Sequence, residues 1–420
     1  MPDKTAESID DILDIATDSG VLILQNGGET YRAEDTMTAV ARSLGARSSS
    51  AFVTPTVVML TCTDHSGISH TRIQRINDRT INLGKIARVN ELSRRLAASG
   101  QKADLGSTEA ILRRISSSPS HSRHSVIFAT AVASFCFSLL FSGSMAEAAA
   151  AALIGAVMRT VLFIALPLGF TGFLLSITGA AVISLLSGAA VALGLVPSSG
   201  NINISVLMSL VPGLAIVNAI RDIIAGDLVA GSARTLEAFI IAAALSLGAS
   251  VGLFVFAADA SWIPSLLSVA HPVAVFALAF GATASFAFFF QISRYDILWA
   301  ALFGAVGWLV FLYVSGRTGS IVTGYMCGAL SVGACAECTA VLFRKPATVY
   351  IVPGIIPLVP GGGMYETMLM AVLGRGEQAL SIGFSTLTAA AAIAVGIALA
   401  SSIARLLSRI RKVRQLRSSK

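Results

Sequence analysis

Charged residues are scarce in this sequence. Asp, Glu, Lys and Arg make up 13% of the 420 residues, whereas 55% are hydrophobic. Soluble domains carry about 25% charged residues, so these proportions exclude a wholly soluble globular protein. Most of the charge lies in residues 1–124, and residues 125–403 are almost continuously apolar. The sequence therefore predicts a soluble domain followed by a polytopic membrane domain.

Cysteines and nucleotide-binding motifs are also few. Four of the five cysteines fall in apolar segments, which excludes a disulfide framework. Cys335 and Cys338 have CxxC spacing but no second pair, so we expect no metal site there. The chain has no Walker A loop, no GxGxxG and no nucleophile elbow. We therefore expect no cofactor, no metal, no ATP-driven transport and no catalytic residues.

The positive charge is concentrated in two clusters. One closes the soluble domain, and the other is the tail, residues 404–420. Basic clusters beside apolar spans usually mark the cytoplasmic side and contact anionic lipid. No stacking aromatic residues interleave these charges, which argues against nucleic-acid binding.

Residues 1–124 show the mixed periodicity of a small two-layer α+β domain. The pattern predicts one strand over 51–63, a partner strand over 71–76, and helices over 10–27, 29–44, 83–96 and 107–115. A Ser/Pro linker follows at 116–122. The charged segment GGETYRAED, residues 27–35, is expected to form a solvated first helical turn.

The apolar region divides into ten predicted spans of about 20 residues each. They cover 125–143, 146–166, 170–196, 202–221, 232–257, 267–290, 297–313, 319–343, 347–372 and 379–403. An even number places both termini on one side of the membrane. The distribution of Arg and Lys in the loops predicts that this side is cytoplasmic.

Several words recur in order along the membrane region. AALIGAV at 151–157 matches AALFGAV at 300–306, an offset of 149, and LVPG at 210–213 recurs at 358–361, an offset of 148. Two glycine pairs share the offset of 148, and TGFL at 171–174 resembles TGYM at 323–326. Two units, 125–257 and 258–403, would each contain five spans. An odd number of spans predicts that the second unit is inverted in the membrane.

Both LVPG words interrupt a predicted span close to its middle. Proline removes a backbone donor and clashes with the preceding helical turn, so neither span can be one continuous helix. Broken helices at membrane depth are tolerated where protein or a watery cavity satisfies the backbone, and transporters use them as substrate sites. The candidate site therefore includes Pro212, Gly213, Pro360, Gly361, Gly362 and Gly363.

A polar residue follows each of these prolines by six positions: Asn218 in the first unit and Glu366 in the second. Intramembrane ionisable groups are costly and usually functional. Glu366 would bind a proton or a substrate ammonium, or serve as a structural carboxylate. Tyr365 would donate a hydrogen bond to substrate or lie in the interfacial aromatic belt.

Two further charged residues lie inside predicted spans, Arg159 and Glu337. They would form an ion pair, anchor a substrate carboxylate with its counter-charge, or reach the interface as a snorkelling pair. Arg221 and Asp222 close the fourth span, as a gate salt bridge or as an interfacial pair that caps the helix.

The same words resemble the threonine/serine exporter family. The likeness includes LQNGGETYRAEDTMTAVARSLG, VPGLAIVNAIRDIIAGDLVAGSAR and VPGIIPLVPGGGMYETM, and it covers nearly the whole chain. The resemblance implies export of small hydroxy amino acids across a bacterial inner membrane, driven by the proton-motive force. It also brings in a related split system that carries dicarboxylates such as succinate.

We therefore expect a multi-pass inner-membrane secondary exporter of threonine or serine, in which protons are coupled to alternating access. Export of small dicarboxylates is the first alternative. A membrane-anchored enzyme with its activity in residues 1–124 is the second, but that domain offers no convergent nucleophile, base and orienting group. A channel is the third, and the spans hold few polar residues to line a pore. Homo-oligomer formation is left open.

Overall fold

The chain is described by a computed structural model that covers residues 9–77, 79–99, 103–224, 226–256 and 271–418. It is mostly helical and contains one small sheet of three strands. The predicted border between the two membrane units, at 257 and 258, lies outside the described residues, as does the start of the sixth predicted span.

The N-terminal part of the chain, predicted as a soluble domain and given that name below, packs two helices against the sheet. Its helices are α1 (Ile9–Gln25), α2 (Thr30–Ser43), α3 (Leu83–Ala98) and α4 (Leu105–Ser116). Ile23, Met37 and Leu60 are fully buried in the core between α1, α2 and the sheet. Between α1 and α2 the chain turns at Gly27, whose φ of 88° lies in the left-handed region that favours glycine.

The prediction of a single strand over 51–63 is wrong. The segment forms a hairpin of β1 (Ser48–Thr54) and β2 (Val57–Thr63), and β3 (Ser69–Arg75) pairs with β2. All pairs are antiparallel in the order β1-β2-β3. The hairpin turn holds Pro55 and Thr56, without the Asn-Gly or Asp-Gly signal that usually reveals a two-residue turn.

Within the described residues, twelve helices follow, and we call this predicted membrane region the membrane domain. They are α5 (Arg123–Leu140), α6 (Met145–Ala165), α7 (Gly172–Ala192), α8 (Gly200–Leu207), α9 (Gly213–Ile224), α10 (Leu228–Phe256), α11 (Pro272–Phe289), α12 (Arg294–Thr318), α13 (Ile321–Phe343), α14 (Thr348–Gly354), α15 (Gly361–Val372) and α16 (Gly376–Ser418). Helix α16 runs without a break past residue 403, where the last span was predicted to end.

Within the described ranges, eight helices are long and apolar enough to cross a membrane. A ninth span is counted if α14 and α15, which are bent by 51°, form one span. The fourth predicted span, 202–221, consists of two short helices, α8 and α9, separated by residues 208–212. The number ten therefore stays a prediction.

Both predicted helix breaks are present, and their form follows from proline chemistry. Helix α8 ends before Pro212, and α9 begins directly after it. Helix α14 is followed by a 3-10 turn at Ile356–Leu358, and α15 begins after Pro360. Each proline lacks an N–H. It is therefore tolerated at the start of a helix, where the backbone N–H groups have no acceptor within the helix.

The helix contacts occur twice along the chain. Helix α5 packs on α6, α6 on α7, α7 on α10 and α9 on α10; in the same way α11 packs on α12, α12 on α13, α13 on α16 and α15 on α16. The two sets also contact each other, through α5 with α11, α9 with α16 and α10 with α15.

Individual close contacts repeat with the same offsets. A Cβ on Gly248 would lie 2.8 Å from the Cβ of Ala180, and a Cβ on Gly396 would lie 3.1 Å from the Cβ of Ala329. Gly155 packs against the Ser134 side chain, and Gly304, 149 positions later, packs against the Thr283 side chain.

The helix turns show the same register. The non-glycine residues Ser142 and Gln291, 149 positions apart, both have positive φ, at 64° and 58°. The N-caps of α7 and α13, Thr171 and Ser320, are also 149 positions apart. The likeness of TGFL to TGYM, at an offset of 152, is therefore three residues out of the structural register.

Candidate functional site

The two helix breaks cross each other and touch reciprocally. A Cβ on Gly213 would overlap the Cγ1 of Val359, and a Cβ on Gly361 would lie 2.9 Å from the Cγ1 of Val211. Each break thus places its glycine against the valine that precedes the proline of the other break. Glycine allows this close approach because a Cβ at either position would meet the valine side chain of the other break.

One cavity lies on the side of the crossing that faces the soluble domain. We call it the proximal cavity; its volume is about 260 Å³, and its walls include residues 208–213, the end of α11 and Val359. Ile81 of the soluble domain also lines it. The cavity is mostly apolar, and Pro212 and Gly213 form part of its wall.

A larger cavity of about 630 Å³ lies on the other side of the crossing. This distal cavity reaches Gly319 and Ile321 at the turn between α12 and α13. Met208 and Val359 line both cavities, so the crossing separates them. Of the predicted site residues, it is lined by Pro360, Gly362, Gly363 and Glu366.

Glu366 lies on α15 in the distal cavity, where its side chain is half-buried. No hydrogen bond or ion pair reaches its carboxylate from the described residues. Hydroxyl groups of Ser385, Thr386 and Thr388 on α16 and the indole of Trp308 line the same cavity. The sequence analysis missed these four residues, because hydroxyls and aromatics are common in apolar spans and carry no distinctive spacing.

Six predicted site residues lie outside both cavity walls, and Tyr365 and Asn218 are two of them. Tyr365 is buried in a hydrophobic cluster with residues of α6, α7 and α10, which is neither an aromatic belt position nor a cavity position. Its backbone carbonyl accepts a hydrogen bond of 3.2 Å from Ser246. Asn218 is half-buried on α9.

Arg159 and Glu337 do not form the ion pair considered from the sequence. Arg159 is buried on α6, where its Nε donates to the Thr130 hydroxyl at 3.2 Å and its guanidinium lies 4.8 Å from the centre of the Phe289 ring. Glu337 instead accepts a hydrogen bond of 2.6 Å from Ser401 on α16. Helix order along the chain could not reveal which faces of α6 and α13 point at each other.

The buried guanidinium of Arg159 lacks a full set of partners. Its Nη2 has no hydrogen-bond acceptor within the described part of the chain, and no carboxylate there pairs with it. Phe289, whose ring covers the guanidinium, also lines the proximal cavity. The Phe289 ring therefore lies between this cation and the proximal cavity.

Arg221 and Asp222 do not pair with each other as a gate. Asp222 Oδ2 lies 3.0 Å from Nε of Arg234 on α10. Arg221 Nη1 lies 3.8 Å from Oε1 of Glu29 in the soluble domain. Arg234 also donates to the Gly28 carbonyl at 3.1 Å. The end of α9 is thus tied to α10 and to the turn between α1 and α2.

The expectation of a solvated turn at residues 27–35 is wrong for Glu29. This carboxylate is buried, and it accepts a hydrogen bond of 2.9 Å from Nε of Arg32. Burial alone would raise the pKa of Glu29, but the guanidinium groups of Arg32 and Arg221 outweigh burial and hold this pKa below its usual value. Glu29 is therefore ionised at neutral pH and completes the contact with α9.

Comparison with family models gives two matches that divide the chain in order. Residues 14–256 match the family described as "Putative threonine/serine exporter", and residues 275–403 match the family described as "Threonine/Serine exporter". Among curated proteins and among solved structures, nothing matches the chain. The first match covers more than half of the sequence, and together with the second it shows that the chain belongs to the threonine/serine exporter family.

Proposed function

We propose that the protein is a secondary active exporter of threonine and serine in the bacterial inner membrane, coupled to protons. The crossing of the two helix breaks between two cavities is the observation that carries this proposal. A substrate held at the crossing would be reached through the proximal cavity in one state and through the distal cavity in the other. Alternating access requires such a barrier with a cavity on each side.

The repeated contacts support an inverted repeat as the basis of this mechanism. The first broken pair, α8 and α9, ends beside the soluble domain, where Arg221 lies 3.8 Å from Glu29, whereas the second broken pair, α14 and α15, begins on that side, where α14 contacts α3. This difference supports opposite directions of the two units relative to the soluble domain. Two inverted units can exchange their conformations, which would close one cavity as the other opens.

The half-helices at the crossing suit a zwitterionic amino acid. Helices α9 and α15 both begin at the crossing, so their positive dipole ends favour a substrate carboxylate. The non-helical residues 208–212 leave carbonyl groups that can accept hydrogen bonds from an ammonium. The hydroxyls of Ser385 and Thr388 would add partners for a substrate hydroxyl in the distal cavity.

Glu366 is the proton carrier that we favour. Glu366 lines the distal cavity and belongs to α15, which begins at the crossing. Protons would reach its carboxylate from one side of the membrane in one state of the protein and from the other side in the other state. Glu337 is a less favoured proton carrier, because its carboxylate accepts a hydrogen bond from Ser401 and lines neither cavity. Arg159 lies behind the Phe289 ring and would bind the substrate carboxylate once this ring moves during transport.

The positive-inside rule orients the protein with both termini in the cytoplasm. The proximal cavity would then face the cytoplasm through the soluble domain, and the distal cavity would face the periplasm. In this orientation, substrate enters from the proximal side and leaves past Glu366.

Export of small dicarboxylates is the second candidate function. The observation that favours it is Arg159, since an unpaired buried cation suits a second carboxylate as well as a first. Threonine and serine remain our first choice because the hydroxyl oxygens of Ser385, Thr386 and Thr388 in the distal cavity would accept hydrogen bonds from their side chains.

Reconstitution into liposomes tests the proposed function. The purified full chain is inserted into vesicles under an imposed pH gradient, and uptake of labelled threonine is measured with unlabelled serine or succinate as competitor. We expect serine to compete, succinate not to compete, and dissipation of the gradient to stop accumulation. Competition by succinate alone would favour the dicarboxylate function, and accumulation without a gradient would exclude proton coupling.

A further inference from the structure

A third cavity lies between the soluble domain and the membrane helices, apart from the crossing. Its volume is about 810 Å³, and its walls come from α3, the linker to α5, the α11–α12 turn and the α13–α14 turn. We call it the cationic cavity because its lining contains six basic side chains: Arg88, Arg94, Arg95, Arg294, Arg344 and Lys345.

Among the described residues, two acidic side chains line this cavity, and both already have partners. Asp296 is buried, and its carboxylate accepts hydrogen bonds from Lys345 at 2.6 Å and from the Tyr350 hydroxyl at 2.8 Å. Glu91 pairs with Arg95, one turn along α3. Within the described residues, the remaining four arginines have no ion-pair partner, so the cavity carries a net positive charge.

The walls of the cationic cavity are held together by direct contacts. The amide of Asn82 donates to the Gln291 side chain at 2.8 Å, and the Leu83 N–H donates to the Phe290 carbonyl at 3.0 Å. A Cβ on Gly84 would lie 2.5 Å from the Gln291 carbonyl oxygen, so α3 abuts the α11–α12 turn. The cations of the soluble domain and those of the membrane domain are therefore brought together by folding.

Converging arginines favour an anion with several oxygens. A guanidinium binds a phosphate through two parallel hydrogen bonds, which an ammonium cannot do. The cavity also lies at the level where spanning helices end, since Arg294 is the first residue of α12 and Arg344 follows the last residue of α13. Phosphate groups of anionic lipids lie at that level in a membrane.

We propose that the cationic cavity binds a phosphate-bearing anion, which joins the soluble domain to the second helix set. The phosphate comes from an anionic lipid headgroup or from a soluble phosphomonoester, and both present non-bridging phosphate oxygens to Arg88, Arg94, Arg294 and Arg344. This site is separate from the proposed transport path, because its lining shares no residue with the proximal or distal cavity.

Thermal unfolding of the full chain in zwitterionic detergent micelles tests the proposal. Phosphatidylglycerol is titrated in one arm and glycerol 3-phosphate in the other, with phosphatidylcholine as the neutral lipid. The cavity variant is Arg94→Gln with Arg294→Gln. The matched control is Arg72→Gln with Arg113→Gln, which removes the same charge from exposed residues of the soluble domain.

We expect at least one anionic probe to raise the unfolding temperature, with the half-maximal concentration about tenfold higher in the cavity variant and unchanged in the control. A response to the lipid alone assigns the headgroup as ligand, and a response to glycerol 3-phosphate assigns a soluble phosphomonoester. Because both substituted arginines are exposed, folding is expected to be intact, and the single variant Arg88→Gln provides a milder change. Equal shifts in the cavity variant and the control, or no response to either probe, would overturn the proposal.

Discussion

At the scale of single residues, the chemistry of the protein depends on a few charges placed where charges are costly. Glu366 faces a cavity without a partner among the described residues, and Arg159 is buried with one nitrogen unbonded. An uncompensated charge inside a membrane domain costs at least several kcal/mol in the usual estimates, although water in a cavity reduces that cost. Such positions are retained where function needs them.

The first prediction concerns Glu366. Glu366→Gln preserves the shape of the side chain but removes its titration, so we expect gradient-driven accumulation to fall to background while exchange of substrate for substrate persists. Both rates are measured in the same vesicles. Glu377→Gln, at an exposed position in the first turn of α16, is the matched control and should transport normally. Normal accumulation by Glu366→Gln would remove this residue from proton coupling.

The second prediction concerns Arg159. Arg159→Met keeps the bulk of the side chain and removes a buried cation, so the unfolding temperature should be unchanged or higher while transport is lost. The physical reason is that a well-packed apolar side chain often stabilises a buried site better than an incompletely paired charge. Unfolding and transport are measured on the same preparation. Loss of stability with normal transport would identify Arg159 as structural.

Residue-scale predictions from sequence succeeded where the chemistry is local and failed where it depends on a distant partner. Pro212 and Pro360 predict helix breaks because the missing N–H removes a helix hydrogen bond at that position. Nothing local indicated that Glu29 would be buried against Arg221, 192 positions away, or that Glu337 would meet Ser401. Depth in a span can be read from sequence, but the direction in which a side chain points depends on packing.

At the scale of elements, the close approach of the two breaks requires glycine. The Cβ that Gly213 lacks would overlap Val359, and the Cβ that Gly361 lacks would meet Val211. Sequence repetition of LVPG predicted two breaks, and their contact follows from the way the two helix sets pack. The hairpin of β1 and β2 could not be predicted in the same way, because its turn has no glycine or asparagine to reveal it.

The third prediction tests that contact. Gly213→Ala should destabilise the chain by about 1–3 kcal/mol, since extra volume is forced into a packed site, and should slow transport. Val359→Ala in the same chain should restore much of both by making room. Gly172→Ala is the matched control, because its Cβ would meet no atom within 4 Å. Equal effects of Gly213→Ala with and without Val359→Ala would contradict the crossing.

At the scale of the whole molecule, several polar contacts fasten the soluble domain to the membrane domain. Glu29 and Gly28 contact Arg221 and Arg234. Arg79 pairs with Glu237 on α10, and Asn82 contacts Gln291. The first contact acts on the end of α9, which begins at the crossing. If α9 moves during transport, it must therefore either break this contact or move the soluble domain with it.

The fourth prediction tests the coupling. Glu29→Gln removes the buried charge that faces Arg32 and Arg221, and we expect a loss of about 3 kcal/mol in stability because two half-buried guanidinium groups lose their counter-charge. Thermal unfolding and transport are measured together. Glu91→Gln, which removes one partner of an exposed pair on α3, should change stability by less than about 1 kcal/mol. An equal effect of both substitutions would show that the Glu29 contact does not couple the domains.

The most direct test of the account is a disulfide across the crossing. With the five native cysteines replaced, Val211→Cys and Gly361→Cys would place their Cβ atoms close to the usual 3.5–4.5 Å of a disulfide. The control pair combines Val211→Cys with Val372→Cys, about 16 Å further along α15. We predict that oxidation links only the first pair and stops transport, and that reduction restores it. Failure of that pair to link, or normal transport by the linked protein, would contradict the account.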